Sequence, residues 1–238
     1  MESMFGRHAP SLSALSDFSK LSHDDRSHLK KVYTSLSLTL LAATAGSAVN
    51  VLLGMFQGAF LASIVSIGLL LALRFNPDNG KNLATRLGLL AGFGFFSGVS
   101  MGPLIAHVAA IDPSLIFTAL GGTVVVFVSF SLSALYAEER SYLYLGGYLL
   151  SGLNFLLLTS LVNMFIGSIF VLEVQLYLGL AIFCAFVLYD TQLIIEKSRM
   201  GDKDYIWHSV DLFLDFIEIF RRLLIILAKD DKKKKRRD

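Results

Sequence analysis

Four carboxylates stand inside or against two of the most apolar stretches of this chain. "FVLYDTQLIIEK" (186–197) carries Asp190 near the polar end of a long hydrophobic run. "HSVDLFLDFIEIFRR" (208–222) sets Asp211, Asp215 and Glu218 among Leu, Ile and Phe. A carboxylate in an apolar setting is costly unless it is paired or protonated, and inside a membrane such groups commonly mark ion or proton routes. His208, Asp211, Asp215, Glu218 and Arg222 recur at spacings of three and four, so they share one helical face. Leu212, Phe213, Phe216, Ile217, Phe220 and Leu223 form the other face. This pattern has two readings. One is an interfacial amphipathic helix with its polar side in water; the other is a central helix whose acidic stripe lines an internal pathway. Glu218 and Arg222 are also spaced for an i,i+4 ion pair, and Asp202 and Asp204 for solvated loop positions or helix caps.

The chemistry open to such acids is limited and specific. Two carboxyls within a few ångströms share a proton, because both cannot ionise cheaply. Ionisable groups at membrane depth also mark candidate relays or ion routes. His208 could tune the local field, although a lone histidine is more often a packing residue.

The elements that must position these residues are long apolar helices. The 238 residues are 54% apolar and only 17% charged, outside the range of ordinary soluble domains. Apolar segments run near 32–53, 56–74, 86–109, 114–137, 142–162, 166–190 and 205–228. The first six reach the ~20 residues needed to cross a ~30 Å hydrocarbon core, and no strand-like alternation appears. The expected fold is therefore all-α: a single seven-helix membrane bundle over 31–228, between a polar tail (1–30) and a basic tail (229–238). The N-terminal stretch lacks the basic start and short apolar core of a signal peptide. The single cysteine, Cys184, allows no intrachain disulfide.

Lys and Arg flank alternate connections: the N-terminal tail, Arg74–Lys81–Arg86, Arg140, and Lys197–Arg199–Lys203. Connections near 54–55, 110–113 and 163–165 carry none. Six crossings with a cytosolic N-terminus satisfy this alternation. The seventh segment breaks it: a full crossing puts the KKKKRR run on the far side, and a re-entrant path keeps it cytosolic. Gly88–Gly92 and Gly94–Gly98–Gly102, each four apart and followed by Pro103, predict a closely packed helix. The pairs Gly121–Gly122 and Gly146–Gly147 are weaker signals of kinks or packing.

"RLGLLAGFGFFSGVSMGPLI", "IFTALGGTVVVF", "SFSLSALYAEERSYLYLGG", "FVLYDTQLIIEK" and "GDKDYIWHSVDLFLDFIEIFRRLL" together resemble the Bax inhibitor family over roughly residues 28–230. Val124 departs from the alanine expected after Thr123. The resemblance implies a seven-helix fold with the last helix central, residence in the endoplasmic reticulum membrane, suppression of cell death and a pH-sensitive calcium leak. It implies a paired-aspartate sensor, which by motif match is Asp190 ("YDTQ") with Asp215 ("LDF"); these two would also contact calcium in transit. Asp211, Glu218 and His208 are auxiliary candidates on the same face. Some relatives latch the pair with a second-helix arginine, for which Arg74 and Arg86 are the candidates here. Partners implied by resemblance are anti-apoptotic Bcl-type proteins and stress-response membrane proteins.

Two other function classes compete. A membrane interaction protein could regulate cell-death factors without transport of its own. Intramembrane aspartyl proteases also pair two acids, but their second acid follows Gly-x-Gly and a Pro-Ala-Leu motif comes later. Asp215 follows "DLFL" and no such proline motif occurs, so an enzyme is not expected. No zinc spacing, phosphate loop or nucleophile elbow is present, and no cofactor is expected beyond calcium as a transported ion. The basic run Lys232–Arg237 is a headgroup-attracting segment rather than a nucleic-acid site.

Overall fold

A computed structural model describes residues 22–54, 58–137 and 140–235. The N-terminal tail before Ser22, Glu138 and Glu139 of the fourth connection, and Arg236 and Arg237 of the basic run lie outside the described residues. Seven helices follow one another: α1 (His23–Leu53), α2 (Ala59–Arg74), α3 (Leu83–Ala109), α4 (Ser114–Tyr136), α5 (Leu145–Ile166), α6 (Ile169–Arg199) and α7 (Tyr205–Lys234). There is no strand among the described residues.

Helix ends follow local chemistry. Ser22 caps α1 in a reciprocal box, its hydroxyl accepting from the Asp25 amide while the Asp25 carboxylate accepts from the Ser22 amide. Gly54 stops the same helix at φ 63°, where a side chain would be strained. Asp204 opens α7 by accepting the Trp207 amide at 3.1 Å. The glycine pairs do not mark kinks that end a helix, since both lie within continuous α4 and α5.

Five helices, α1 and α3 to α6, are long and apolar enough to cross a membrane. The second apolar segment is shorter than its sequence suggested. Gly58 is its N-cap, which leaves a helix of 16 residues, about 24 Å long and less than a full hydrocarbon thickness. Large apolar side chains face outward on the surrounding helices, among them Phe60, Phe117, Phe165 and Phe170, each more than 70% exposed. In water such a surface would be untenable; against lipid it needs no cover.

The seventh helix has the opposite character. It packs against α1, α3, α4 and α6, and Leu212, Phe213, Ile219 and Leu224 are almost wholly enclosed. Phe213 meets Phe93 edge-on at 5.2 Å, and Phe216 meets Phe127 at 5.5 Å. The apolar face is therefore core, not a lipid-contacting surface, which excludes the interfacial reading and makes α7 the central helix.

Its path bears on the charge conflict. At its start, His208 touches His28 near the start of α1, and Asp204 binds Arg86 near the start of α3. At its far end, Lys232 reaches His107 at 3.1 Å and Lys235 donates to the Ile111 carbonyl at 3.2 Å, both at the end of α3. The helix thus runs alongside the whole of α3 as one continuous rod, which favours the full crossing over the re-entrant path. The loop-charge preference acts on short loops rather than on a terminal tail. Tags on the two termini of the full chain are accordingly expected on opposite membrane faces after selective permeabilisation. Protection of both from the same side would contradict this path.

Close packing of α1 on α3 supplies the frame around α7. A Cβ on Gly94 would stand 2.6 Å from the Thr39 carbonyl oxygen, and one on Gly98 would stand 2.6 Å from the Ala43 carbonyl carbon. Gly46 of α1 completes the contact by meeting the backbone of Phe95. The other ladder does not share this role: Gly88 faces open space and Gly92 meets only the Leu69 side chain.

Candidate functional site

The α6–α7 interface brings together the two acids that the resemblance pairs. Asp190 on α6 and Asp215 on α7 lie close enough for their carboxyls to interact, with Asp211 and Glu218 as charged neighbours along α7 and Lys197 on α6. Asp215 is 3% exposed, and its Oδ2 is buried with no hydrogen-bond partner. A carboxylate is an acceptor only, so a hydrogen bond between two carboxyls requires a proton on one of them.

The local sequence explains the placement. Asp190 lies well inside α6, which continues to Arg199 rather than ending at the apolar boundary. Thr191, Gln192, Ile194 and Ile195 are buried beyond it. Gln192 ties α6 to the fourth connection, its Nε2 donating to the Ala134 carbonyl and to Ser141 while its Oε1 accepts from the Tyr142 amide at 2.7 Å. In "YDTQ" the aspartate is thus the acid and the glutamine its anchor. Tyr189 packs against the notch left at Gly146, where a Cβ would fall 2.7 Å from its ring.

The auxiliary residues are spread along the same helix. Asp211 is 4.0 Å from the Lys197 ammonium and about 29% exposed, between the pair and the polar end of the bundle. Glu218 lies on the other side and pairs with both Arg221, at 2.7 Å, and Arg222, so the i,i+4 pairing is present. His208 is fully buried and 3.0 Å from His28, across α1 and α7. Among the described residues no group of three or more His, Cys, Asp or Glu side chains is placed to hold a metal ion.

Neither arginine considered as a latch engages the aspartates here. Arg86 is 2% exposed and bonds Asp204 at 2.6 Å, with Asp78 at 4.0 Å. The Arg74 guanidinium lies over the Trp207 ring, 5.4 Å from its centroid. Both arginines sit near the first turn of α7, two turns and more from Asp215, because the first turn of α3 and the last turn of α2 reach only that end.

Several residues at this end were not singled out by sequence. Asp25, only 3% exposed, binds Arg199 at 3.0 Å and joins α1 to α6. Arg140 pairs with Glu196, and His28 with His208. Only Asp25 left a readable trace, as the fourth residue of the capping box "SHDD". Asp202 is more than a solvated loop residue, since it accepts from the Asp204 amide and lies 3.5 Å from His208 Nε2. Burial would raise its carboxyl, but the Asp204 amide and the adjacent imidazole outweigh this and hold it below the usual carboxylate range. The contact therefore persists at neutral pH and is lost as pH falls through that depressed range.

Asp204 has two structural tasks, capping α7 and neutralising Arg86. Asp204→Ala is expected to cost about 2 kcal/mol or more, through a lost cap and a buried guanidinium left without its close partner. Asp204→Asn keeps the cap and should recover part of the loss. Equal unfolding midpoints for the wild type and Asp204→Ala in detergent would remove both assignments.

A core helix whose buried Asp215 meets Asp190 of α6, wrapped by helices long and apolar enough to span, defines a multi-pass helical membrane protein. A family model described as "Inhibitor of apoptosis-promoting Bax1" matches residues 25–232. The chain is 53% identical over 212 residues to "Probable Bax inhibitor 1" of Paralichthys olivaceus, covering 89% of this chain and 90% of the relative. It is 50% identical over 212 residues to "Bax inhibitor 1" of Mus musculus, with the same coverage. With "Bax inhibitor 1" of Arabidopsis thaliana it shares 40% identity over 225 residues, covering 94% of this chain and 90% of the relative. The chain belongs to the Bax inhibitor family.

Proposed function

We propose that this protein is a pH-sensitive calcium leak pathway, as channel or exchanger, in the endoplasmic reticulum membrane, and that it restrains cell death. The names of its relatives support the second part, and the resemblance supports the compartment and a cytosolic N-terminus. The observation that carries the transport reading is the Asp190–Asp215 pair, two interacting carboxyls between a spanning helix and the central helix, with Asp215 buried. With one proton shared, the pair carries a single negative charge. Removing that proton leaves two charges in contact, which repel one another and attract a divalent cation. Titration thus changes both the α6–α7 contact and the local affinity for calcium. Two carboxylates with no third acidic ligand suit brief contact with the ion during passage.

Purified full-length chain in liposomes tests this directly. Calcium flux that varies with pH supports the reading, whereas liposomes no leakier than protein-free ones overturn it and favour an interaction protein acting on Bcl-type or stress-response partners. Cleavage of a transmembrane peptide in the same preparation would instead point to proteolysis.

A further inference from the structure

Three of the cations in the second half of α7, Arg221, Arg222 and Lys229, have no part in the aspartate pair. They border an open groove of about 800 Å³ between α5, α6 and α7, within the size range of ligand pockets. Its walls are chiefly leucines, including Leu156, Leu161, Leu172 and Leu176. The α5 rim faces outward, with Leu157 and Leu161 more than half exposed, and both flanking helices α5 and α6 are long and apolar enough to span a membrane. The groove therefore opens to lipid.

Its charge is not balanced. Glu218 serves both guanidiniums, Arg221 at 2.7 Å and Arg222, and Glu173 takes Lys229 at 2.7 Å. Three cations face two carboxylates. The Arg222 Nε is also buried without an acceptor, so the site lacks acceptor capacity as well as negative charge. Uncompensated cations at membrane depth are costly. Yet the Arg222 guanidinium has a built berth. It lies 4.6 Å from the centroid of the Phe183 ring, in a notch that exists because residue 179 is glycine; a Cβ there would fall 2.8 Å from Nη2. The helix holds this charge in place, beside an apolar groove.

We propose that the groove binds an anionic glycerophospholipid, its phosphate on the Arg221–Arg222–Lys229 row and an acyl chain along the leucine wall. A ligand matching both features must be amphipathic and negative at one end. From Arg222 to Lys229 is about 10 Å along the helix, enough for a headgroup and its ester linkages. A free phosphate matches only the cations, and a second apolar helix matches only the leucines. The site is separate from the aspartate pair and does not depend on the transport reading.

Full-length protein in detergent, titrated with phosphatidylserine or with phosphatidylcholine of the same acyl chains, tests the proposal by native mass spectrometry. Phosphatidylserine should be retained at least about tenfold more tightly, and Arg221→Gln with Lys229→Gln should weaken its retention about thirtyfold. Lys203→Gln, in the distant α6–α7 loop, should leave retention unchanged. Leu161→Trp, which keeps every charge but fills the groove, should also lose the lipid, so the result does not hinge on one variant's folding. Helical content by circular dichroism is measured for each. Equal retention of both lipids overturns the proposal, as does an unchanged preference in the double variant. Complete displacement of phosphatidylserine by inorganic phosphate, or a lipid-free dimer that excludes it, would equally overturn a lipid site.

Discussion

Asp215→Asn and Asp190→Asn are each expected to flatten the pH dependence of calcium flux through the reconstituted protein. The two carboxyls lie close together across α6 and α7, and under the proposed reading they share one proton. An asparagine amide donates to the remaining carboxylate without any such proton. The variant site keeps a donor for the remaining carboxylate and loses one of its two titrating groups. It also loses the like-charge repulsion that deprotonation of the wild-type pair creates across α6 and α7. A gate controlled by one proton can change its open population up to about tenfold per pH unit; in either variant the change should fall below about twofold. Asp211→Asn should have a smaller effect, because Asp211 is part-exposed and lies near Lys197 rather than in the pair. Asp202 is a poor control given its contact with His208, whereas the exposed Asp24, in the first turn of α1, is a clean one. With insertion verified, unchanged curves for both pair variants would make these acids structural and end the proposed gate.

Asp190, Asp211, Asp215 and Glu218 stand out in the sequence because each breaks a local rule, whereas the pairing of Asp190 with Asp215 comes from the family resemblance. An acid in an apolar run and a three-four acidic stripe are departures from composition that are visible without any tertiary knowledge. The helices were legible for the same reason: α3 and α4 lie within a few residues of their apolar segments. What sequence did not show is how far helices continue past their apolar limits. At the end of α6, Ile194 and Ile195 are buried while Glu196 and Arg199 reach Arg140 and Asp25, so the helix persists as an amphipathic rod beyond the hydrocarbon. A hydropathy boundary cannot mark such an end, because the last turns are stabilised by tertiary ion pairs.

The polar end of the bundle was hidden for a related reason. Asp25–Arg199 and His28–His208 join residues more than 170 positions apart, and Arg86–Asp204 joins residues 118 apart. Nothing in local spacing assigns those partners. Arg86 was thus read as a candidate latch for the aspartates, whereas the geometry gives it to the cap of α7. The charge rule for loops is likewise blind to tertiary partners such as Phe93 of α3 and Phe127 of α4, which meet Phe213 and Phe216 of α7.

Gly98→Ala is expected to be among the most destabilising single-methyl additions to this chain. Helices in lipid gain nothing from burying apolar surface against one another, so their association rests on close van der Waals contact and on interhelical hydrogen bonds. At Gly98 that contact is backbone to backbone. An added Cβ would fall 2.6 Å from the carbonyl carbon of Ala43 and closer still to its oxygen, and neither atom can turn aside as a side-chain end can. Relief requires α1 and α3 to separate, which also loosens the contacts at Gly46 and Gly94 and the wall that both helices give α7. The cost should reach about 3 kcal/mol, the upper part of the range for overpacking. Gly88→Ala lies in the same helix and faces open space, so it should be neutral or stabilising by up to about 1 kcal/mol, because alanine is the better helix former. Unfolding midpoints in one detergent separate the two. If Gly98→Ala and Gly88→Ala unfold together, α1 and α3 do not meet through their backbones, and the frame around the central helix must be held by other contacts.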